Sequence, residues 1–286
     1  MKIANPRFVL TLSGPDQPGI VAAISACLME LACNITDSAQ FGDPESGRFF
    51  MRVSFSAPQA LTEDKLEDKF RPLFQRLKMA AHIHALEKRQ RAVIMVSRFG
   101  HCLNDLLYRH RIGALPIEIP AIVSNHRDFY QLAASHDIPF HHLPVTPETK
   151  ARQEGRLLEL IEEERADVVV LARYMQVLSD ELCAALEGRA INIHHSFLPS
   201  FKGARPYHQA HKRGVKLIGA TAHYVTAELD EGPIIEQEAV RADHAMSAED
   251  LVAAGRDIES LVLARAVKWH AEHRILLNGN RTVVFR

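Results

Sequence analysis

The sequence is poor in cysteine. Cys27, Cys33, Cys102 and Cys183 are four thiols in 286 residues, and no two of them make a Cys-x-x-Cys pair. They read as reduced thiols, which places the chain in the cytoplasm. Long apolar runs are missing as well. Val168-Val169-Val170-Leu171-Ala172 is a typical maximum, far below the roughly 20 residues of a membrane helix. The stretch before Asp16 is too short in apolar residues for a signal peptide, so no membrane partner is expected. Neither charge is in excess. With 34 basic and 35 acidic residues the net charge is -1, which excludes a nucleic-acid binder driven by a basic surface. No G-x-S-x-G elbow, H-E-x-x-H helix or Walker-type loop occurs. There are 16 histidines. Neither His208 with His211 nor His141 with His142 has a Cys or carboxylate cluster beside it, so no metal site is expected.

What is present describes a folded protein. Hydrophobic residues make up 47% and charged residues 24%, enough for a packed core. The length allows one large domain or two smaller ones, and the patterning favours two. Residues 7–12 read as a strand, followed by a turn and a helix opened by Pro18-Gly19. Ile20, Ile24, Leu28 and Leu31 form its apolar stripe. A second strand starts at Asn34. After the turn at 43–47, Phe49, Met51, Val53 and Phe55 alternate with Arg52, Ser54 and Ser56. A helix over 62–79 carries Leu66, Phe70, Leu73 and Leu77, with a kink expected at Pro72. A strand over 81–85 completes βαββαβ, a small split-βαβ arrangement. The charged run 87–91 is the expected linker, giving domains at 1–88 and 89–286.

Beyond it the pattern becomes α/β. Apolar strands at 92–97, 117–123, 140–145 and 168–172 alternate with helices near 102–111, 128–137, 148–165 and 179–187. This predicts a mostly parallel sheet covered on both faces. A long amphipathic helix is expected over 247–275, then a turn at Asn278-Gly279. In such sheets ligands sit at the carboxyl ends of the strands, which directs attention to residues 97–101, 173–178 and 192–200. Asn192 and His194 are two apart, so on a strand they point to one side. An amide and an imidazole converging there suit an oxyanion growing on a carbonyl. They also make an ordinary polar strand end. Thr221 and His223 fall on one side of a later strand, and Asp230-Glu231-Gly232-Pro233 follows. Asp230 reads either as a carboxylate that orients His194 and a water or as part of a turn. Spacing leaves both pairs of readings open.

The stretches VVVLARYMQVLS (168–179), INIHHSFLPSF (191–201) and GATAHYVTAELDEGP (219–233) resemble the formyltransferase fold of folate enzymes, the glycinamide ribonucleotide transformylases in particular. DQPGIVAAISACLMELACNITD (16–37) resembles an ACT domain. The fusion resembles the formyltetrahydrofolate deformylase family. The resemblance implies an N-terminal ferredoxin-like ACT domain before a Rossmann-like formyltransferase domain. It implies hydrolysis of 10-formyltetrahydrofolate to formate and tetrahydrofolate, balancing the one-carbon pool and supplying formate for purine biosynthesis. No cofactor or metal is implied. The family's catalytic trio maps onto Asn192, His194 and Asp230. Its folate contacts map onto Tyr174, Met175, Gln176, Val177, Leu178, Thr221, His223, Thr226 and Leu229. An amino-acid effector would lie near Asp16, Pro18 and Gly19 with Asn34 opposite, and paired ACT sheets imply a homodimer or homotetramer.

The sequence departs from the transformylases in two places. Their phosphate-holding loop is glycine-rich, whereas residues 97–102 here read Ser-Arg-Phe-Gly-His-Cys. Gln176 stands where they often carry Arg. Loss of the acceptor's phosphate site with retention of the trio is what a hydrolase needs. The alternatives are formyl transfer to an amine and a folate or amino-acid sensor without turnover.

Overall fold

The computed structural model describes residues 5–196 and 206–286, apart from the side chain of Pro206. The motif residues between 197 and 205 lie outside the described residues. The chain divides into two compact units. One runs to Arg89 and adds Glu272–Asn278 and Thr282–Arg286; the other takes Gln90–Ala271 and Gly279–Arg281.

The first unit contains β1 (Arg7–Pro15), α1 (Ile20–Glu30), β2 (Asn34–Asp43), β3 (Arg48–Ser56), α2 (Glu63–Leu77) and β4 (Ala80–Ala85). The expected βαββαβ order is present. The strands form an antiparallel sheet in the order β2-β3-β1-β4. Ile20, Ile24 and Leu28 of α1 and Leu66, Phe70 and Leu77 of α2 pack on Phe49, Met51, Val53 and Phe55 of β3. Pro72 sits within α2, which continues to Leu77. The left-handed backbone that starts α1 belongs to Gly19, with φ 91°, where other residues would be strained.

Two features depart from the sequence reading. The polar face of β3 is covered as well: the Arg52 side chain is only 4% exposed. Its guanidinium donates to Asp37 Oδ2 at 3.1 Å, to the Glu272 carbonyl at 3.1 Å and to the His273 carbonyl at 3.2 Å. The His273 ring stacks on His84 with centroids 3.7 Å apart, and Asn278 donates to Asp43 at 2.7 Å. Residues 272–278 and 282–286 therefore belong with the first unit, although the sequence reading gave them to the second. The second departure concerns the effector residues. Asp16 lies beside Gly42, near the Asp43 end of β2, and Asn34 begins β2 at the other end, paired with Ser56. Eight residues of strand, about 26 Å, lie between these ends. The reason is that α1 runs back along the sheet before β2 starts. Asp16, Pro18 and Gly19 share a loop, and Asn34 does not adjoin them within one chain.

The second unit contains β5 (Gln90–Val96), α3 (His101–Arg111), β6 (Ile117–Glu118), β7 (Ile122–Ser124), α4 (Tyr130–Ala134), β8 (Phe140–His142) and α5 (Lys150–Glu163). It continues with β9 (Val168–Leu171), α6 (Asp180–Ala185), β10 (Ala190–His194), α7 (Pro206–Arg213), β11 (Leu217–Tyr224), β12 (Ile234–Arg241) and α8 (Ala248–Ala271). The strand expected over 117–123 is split around Pro120, which has no N–H for a ladder. The long helix ends at Ala271, and β13 (Ile275–Asn278) pairs with β14 (Arg281–Val284) instead of extending it. The sheet order is β12-β11-β10-β9-β5-β7-β8, with β6 on β5. Pairs from β10 to β8 are parallel, while β11 and β12 close one side antiparallel. The sheet is thus mostly parallel, as the pattern predicted. The chain winds outward from β5 through β7 to β8, then returns to β9 on the other side of β5. The strand order reverses between β5 and β9, the usual ligand crevice of such sheets. No helix of the described residues is long and apolar enough to cross a membrane.

Candidate active site

Strand β10 carries Asn192 and His194 to the carboxyl end of the sheet on one face, as their spacing requires. Asp230 reaches the same point from the loop between β11 and β12. Its Oδ1 lies 3.1 Å from His194 Nδ1 and 3.7 Å from His223 Nε2. Asp230 has φ 59°, a left-handed backbone that Asp tolerates better than most residues. Two residues on, a side chain at Gly232 would put its Cβ 1.8 Å from the Tyr224 carbonyl oxygen. The glycine of the Asp-Glu-Gly-Pro stretch is needed for this close passage, which brings Asp230 back over β11. Burial opposes ionisation of Asp230. The hydrogen bond from His194, with its charge, outweighs it and holds the carboxyl well below its ordinary range.

His223 is 2% exposed. Its Nδ1 is 2.9 Å from the Tyr224 carbonyl, so that nitrogen donates and carries the proton. Neutral Nε2 then accepts from Asn192 Nδ2 at 3.2 Å. This bond fixes the rotation of the Asn192 amide and leaves its second N–H unengaged by His223. His194 Nε2 meets Ser196 Oγ at 2.8 Å. Ser196 is held in turn: Thr221 donates to its carbonyl at 3.0 Å, and Gln237 donates to Thr221 at 2.9 Å.

The trio borders a cavity of about 240 Å³. Tyr174, Met175, Gln176, Val177 and Leu178 form one wall, and His223, Thr226, Leu229 and Asp230 line it with Asn192 and His194. All the expected folate contacts are brought together except Thr221. That residue is fully buried and supports Ser196 from behind. Its alternation with His223 along β11 puts both on one face, but the face is sealed at Thr221. Ser97 fastens the 174–178 loop to the end of β5. Its N–H donates to the Arg173 carbonyl at 3.2 Å, and its hydroxyl accepts from Met175 N at 2.9 Å and donates to Asn125 at 2.7 Å. Ser97 is therefore used internally and is not presented to an anion, while Arg98 and Phe99 are exposed.

The sequence reading takes in Arg173, His195 and Ser196 only as members of the segments 173–178 and 192–200, gives them no role, and passes over Glu259. Arg173 and His195 line the cavity. Burial, then the charges of Arg173 and His194, lowers the pKa of His195 to about 4, so this ring is neutral at pH 7. Glu259 is 1% exposed on α8. An acid amid Ile258, Val262 and Leu263 was a usable signal for Glu259; for Arg173 and Ser196 the only signal was their place after a strand. Among the described residues, His101, Cys102 and Glu259 bring three possible metal-ligand atoms within 4.8 Å. Both Glu259 oxygens are already engaged, by His101 and Tyr207 at 2.7 Å each, with Arg173 at 3.3 Å. Burial and the Glu259 charge push the Cys102 thiol far up. These donors fit a hydrogen-bonded cluster beside a cation better than a metal cage. His208 and His211 are exposed on α7, and His142 lies against Arg127.

An α/β sheet with an Asn–His–Asp constellation at the carboxyl ends of its strands, preceded in the sequence by a βαββαβ unit, defines an ACT-linked formyltransferase-type protein. The formyl transferase family matches residues 90–267, and the ACT domain family matches residues 7–87. The formyltetrahydrofolate deformylase of Corynebacterium sp. (strain P-1) is 52% identical over 98% of both chains. The crystal structure of the formyltetrahydrofolate deformylase from Burkholderia mallei ATCC 23344 superposes with a TM-score of 0.94. It is 54% identical and covers 98% of this chain and 100% of its own. A glycinamide ribonucleotide transformylase from Symbiobacterium toebii is more distant, at TM-score 0.64 and 30% identity over 69% of this chain and 95% of its own. The chain belongs to the formyltetrahydrofolate deformylase family.

Proposed function

We propose that the protein hydrolyses 10-formyltetrahydrofolate to formate and tetrahydrofolate, and so balances the one-carbon pool and supplies formate for purine biosynthesis. The observation that carries this reading is the contact of Asp230 with His194 beside Asn192, in a cavity walled by residues 174–178. The cavity is smaller than the roughly 300 Å³ at which ligand pockets usually begin. It suits the pterin head and N10, with the glutamate tail toward solvent. The free N–H of Asn192 and the His194 imidazolium face the formyl oxygen, and Ser196 holds Nε2 until substrate arrives. Asp230 sustains the charge on His194 and orients the water that attacks the carbon. The C–N10 bond breaks and N10 takes a proton through His194 or that water. This chemistry calls for no metal or organic cofactor. Formate release without any amine is the test. Release that appears only when an amine is added would make the protein a transferase.

The first unit is assigned as a regulatory ACT domain that takes a small amino acid at the loop of Asp16, Pro18 and Gly19 and pairs chains into a dimer or tetramer. Glycine and methionine, titrated separately, should shift the thermal midpoint or the rate. No change in either would leave pairing as the role of the unit. The thiols of Cys27, Cys33, Cys102 and Cys183 are free, in keeping with a cytoplasmic enzyme; recovery of the protein from an oxidising compartment would contradict this.

A further inference from the structure

The crevice between β5 and β9 is where this kind of sheet binds a ligand, and the first turn of the helix after β5 ordinarily favours an anion. In this chain the crevice is filled from within. His101, the first residue of α3, places Nε2 2.7 Å from Glu259 Oε2. Tyr207 donates to Oε1 at 2.7 Å, and Arg173 Nε lies 3.3 Å from Oε2. Glu259 and Tyr207 are 1% and 7% exposed. Gly255, one turn before Glu259, makes room for the phenol: a Cβ there would fall 2.2 Å from Tyr207 Cζ. The Arg173 guanidinium is 5.6 Å from the Phe99 ring centre. Arg173 belongs to both places, since it lines the cavity and also ends in this cluster. It does so with φ 64°, a left-handed backbone costly for a long side chain unless its surroundings hold it there. Along the parallel ladder Leu171 pairs with Asn192, and Arg173 follows just beyond the end of β9.

We propose that the network of His101, Arg173, Tyr207 and Glu259 occupies the position of a second substrate beside the formyl carbon. It thereby fixes water as the acceptor and makes these four the specificity-determining residues of the hydrolase. Folate fills the cavity on the side of residues 174–178, so a nucleophile reaches the carbon from the Arg173 side. Water passes this wall; an amine on a larger carrier does not. In hydrolysis the water oxygen bonds to carbon, the C–N10 bond breaks and N10 gains a proton. In transfer the amine nitrogen takes the place of the water oxygen, and its proton reaches N10 through the same His194 and Asp230.

This inference rests on the hydrolase reading, and its test separates the two. Wild type, Arg173→Gly and Arg173→Gly/His101→Ser are given 10-formyltetrahydrofolate with rising glycinamide, beside a control without enzyme. Formate and N-formylglycinamide are quantified by mass spectrometry. Wild type should yield formate alone at every amine concentration. The double variant should divert formyl to the amine, with a partition ratio at least tenfold above wild type and rising with amine. Folded variants that release only formate would overturn the proposal, as would amine formylation by wild type. Wild type that releases no formate without amine would instead overturn the hydrolase reading. Should the double variant not fold, Arg173→Gly carries the same readout, because glycine adopts that backbone freely. A network that served only stability would leave the partition unchanged.

Discussion

Asp230→Asn folds and loses about 10²–10⁴-fold in kcat, the usual worth of a positioned acid or base. The variant keeps the shape of the side chain and can still meet His194 Nδ1, 3.1 Å away in the wild type. What it removes is the charge that favours imidazolium and a strong acceptor for the attacking water. KM should change far less than kcat, because the folate wall at residues 174–178 is untouched. Single-turnover formate release is the measurement, and a loss below tenfold would remove Asp230 from the chemistry. The same pair of proteins gives a check on the charge through stability. The folded pKa of Asp230 is depressed below its ordinary 3.8. Its contribution is therefore fully present above about pH 4 and is lost as pH falls through the folded value. The difference in thermal midpoint between wild type and Asp230→Asn should shrink on acidification below pH 4. A difference that grew there would contradict the ion pair.

Glu259→Ala should cost about 3–5 kcal/mol, the usual consequence of removing one partner from a buried charged network. Burial opposes ionisation of Glu259, but His101, Arg173 and Tyr207 together keep it an anion. Without the carboxylate, the Arg173 guanidinium, 10% exposed, and the Tyr207 hydroxyl are left buried with no acceptor at that place. Glu259→Gln should lose less, since the amide oxygen can still accept from one of them. Denaturant unfolding monitored on the second unit reads both. Equal, small losses in the two variants would mean that the network adds no stability.

Much of this was legible in the sequence because period and punctuation are local. Phe49, Met51, Val53 and Phe55 announce a half-buried strand by alternation alone, and Asn192 with His194 share a face for the same reason. The formyltransferase resemblance then points to Asp230, which spacing leaves open between a turn and a carboxylate that orients His194. What escaped was set by distant partners. Arg52 looks like the outward residue of an alternating strand; only residues 272 and 273, far along the chain, make it buried. Thr221 looks equivalent to His223, yet the loop through Ser196 closes over it. Arg173 is marked only by its place after a strand, because a left-handed backbone beneath an arginine cannot be read from its neighbours.

The acceptors of Arg52 also bear on the timing of synthesis. Two of its three hydrogen bonds end on the carbonyls of Glu272 and His273. The ribosome makes these more than a hundred residues after the sheet they cover. At about 5–20 residues per second, the β3 guanidinium waits on the order of 10–40 s for them, solvated or held by Asp37 alone. The N-terminal fold is therefore finished only after the second unit has been translated, and a nascent chain halted before residue 272 would present an ACT domain with an open polar face.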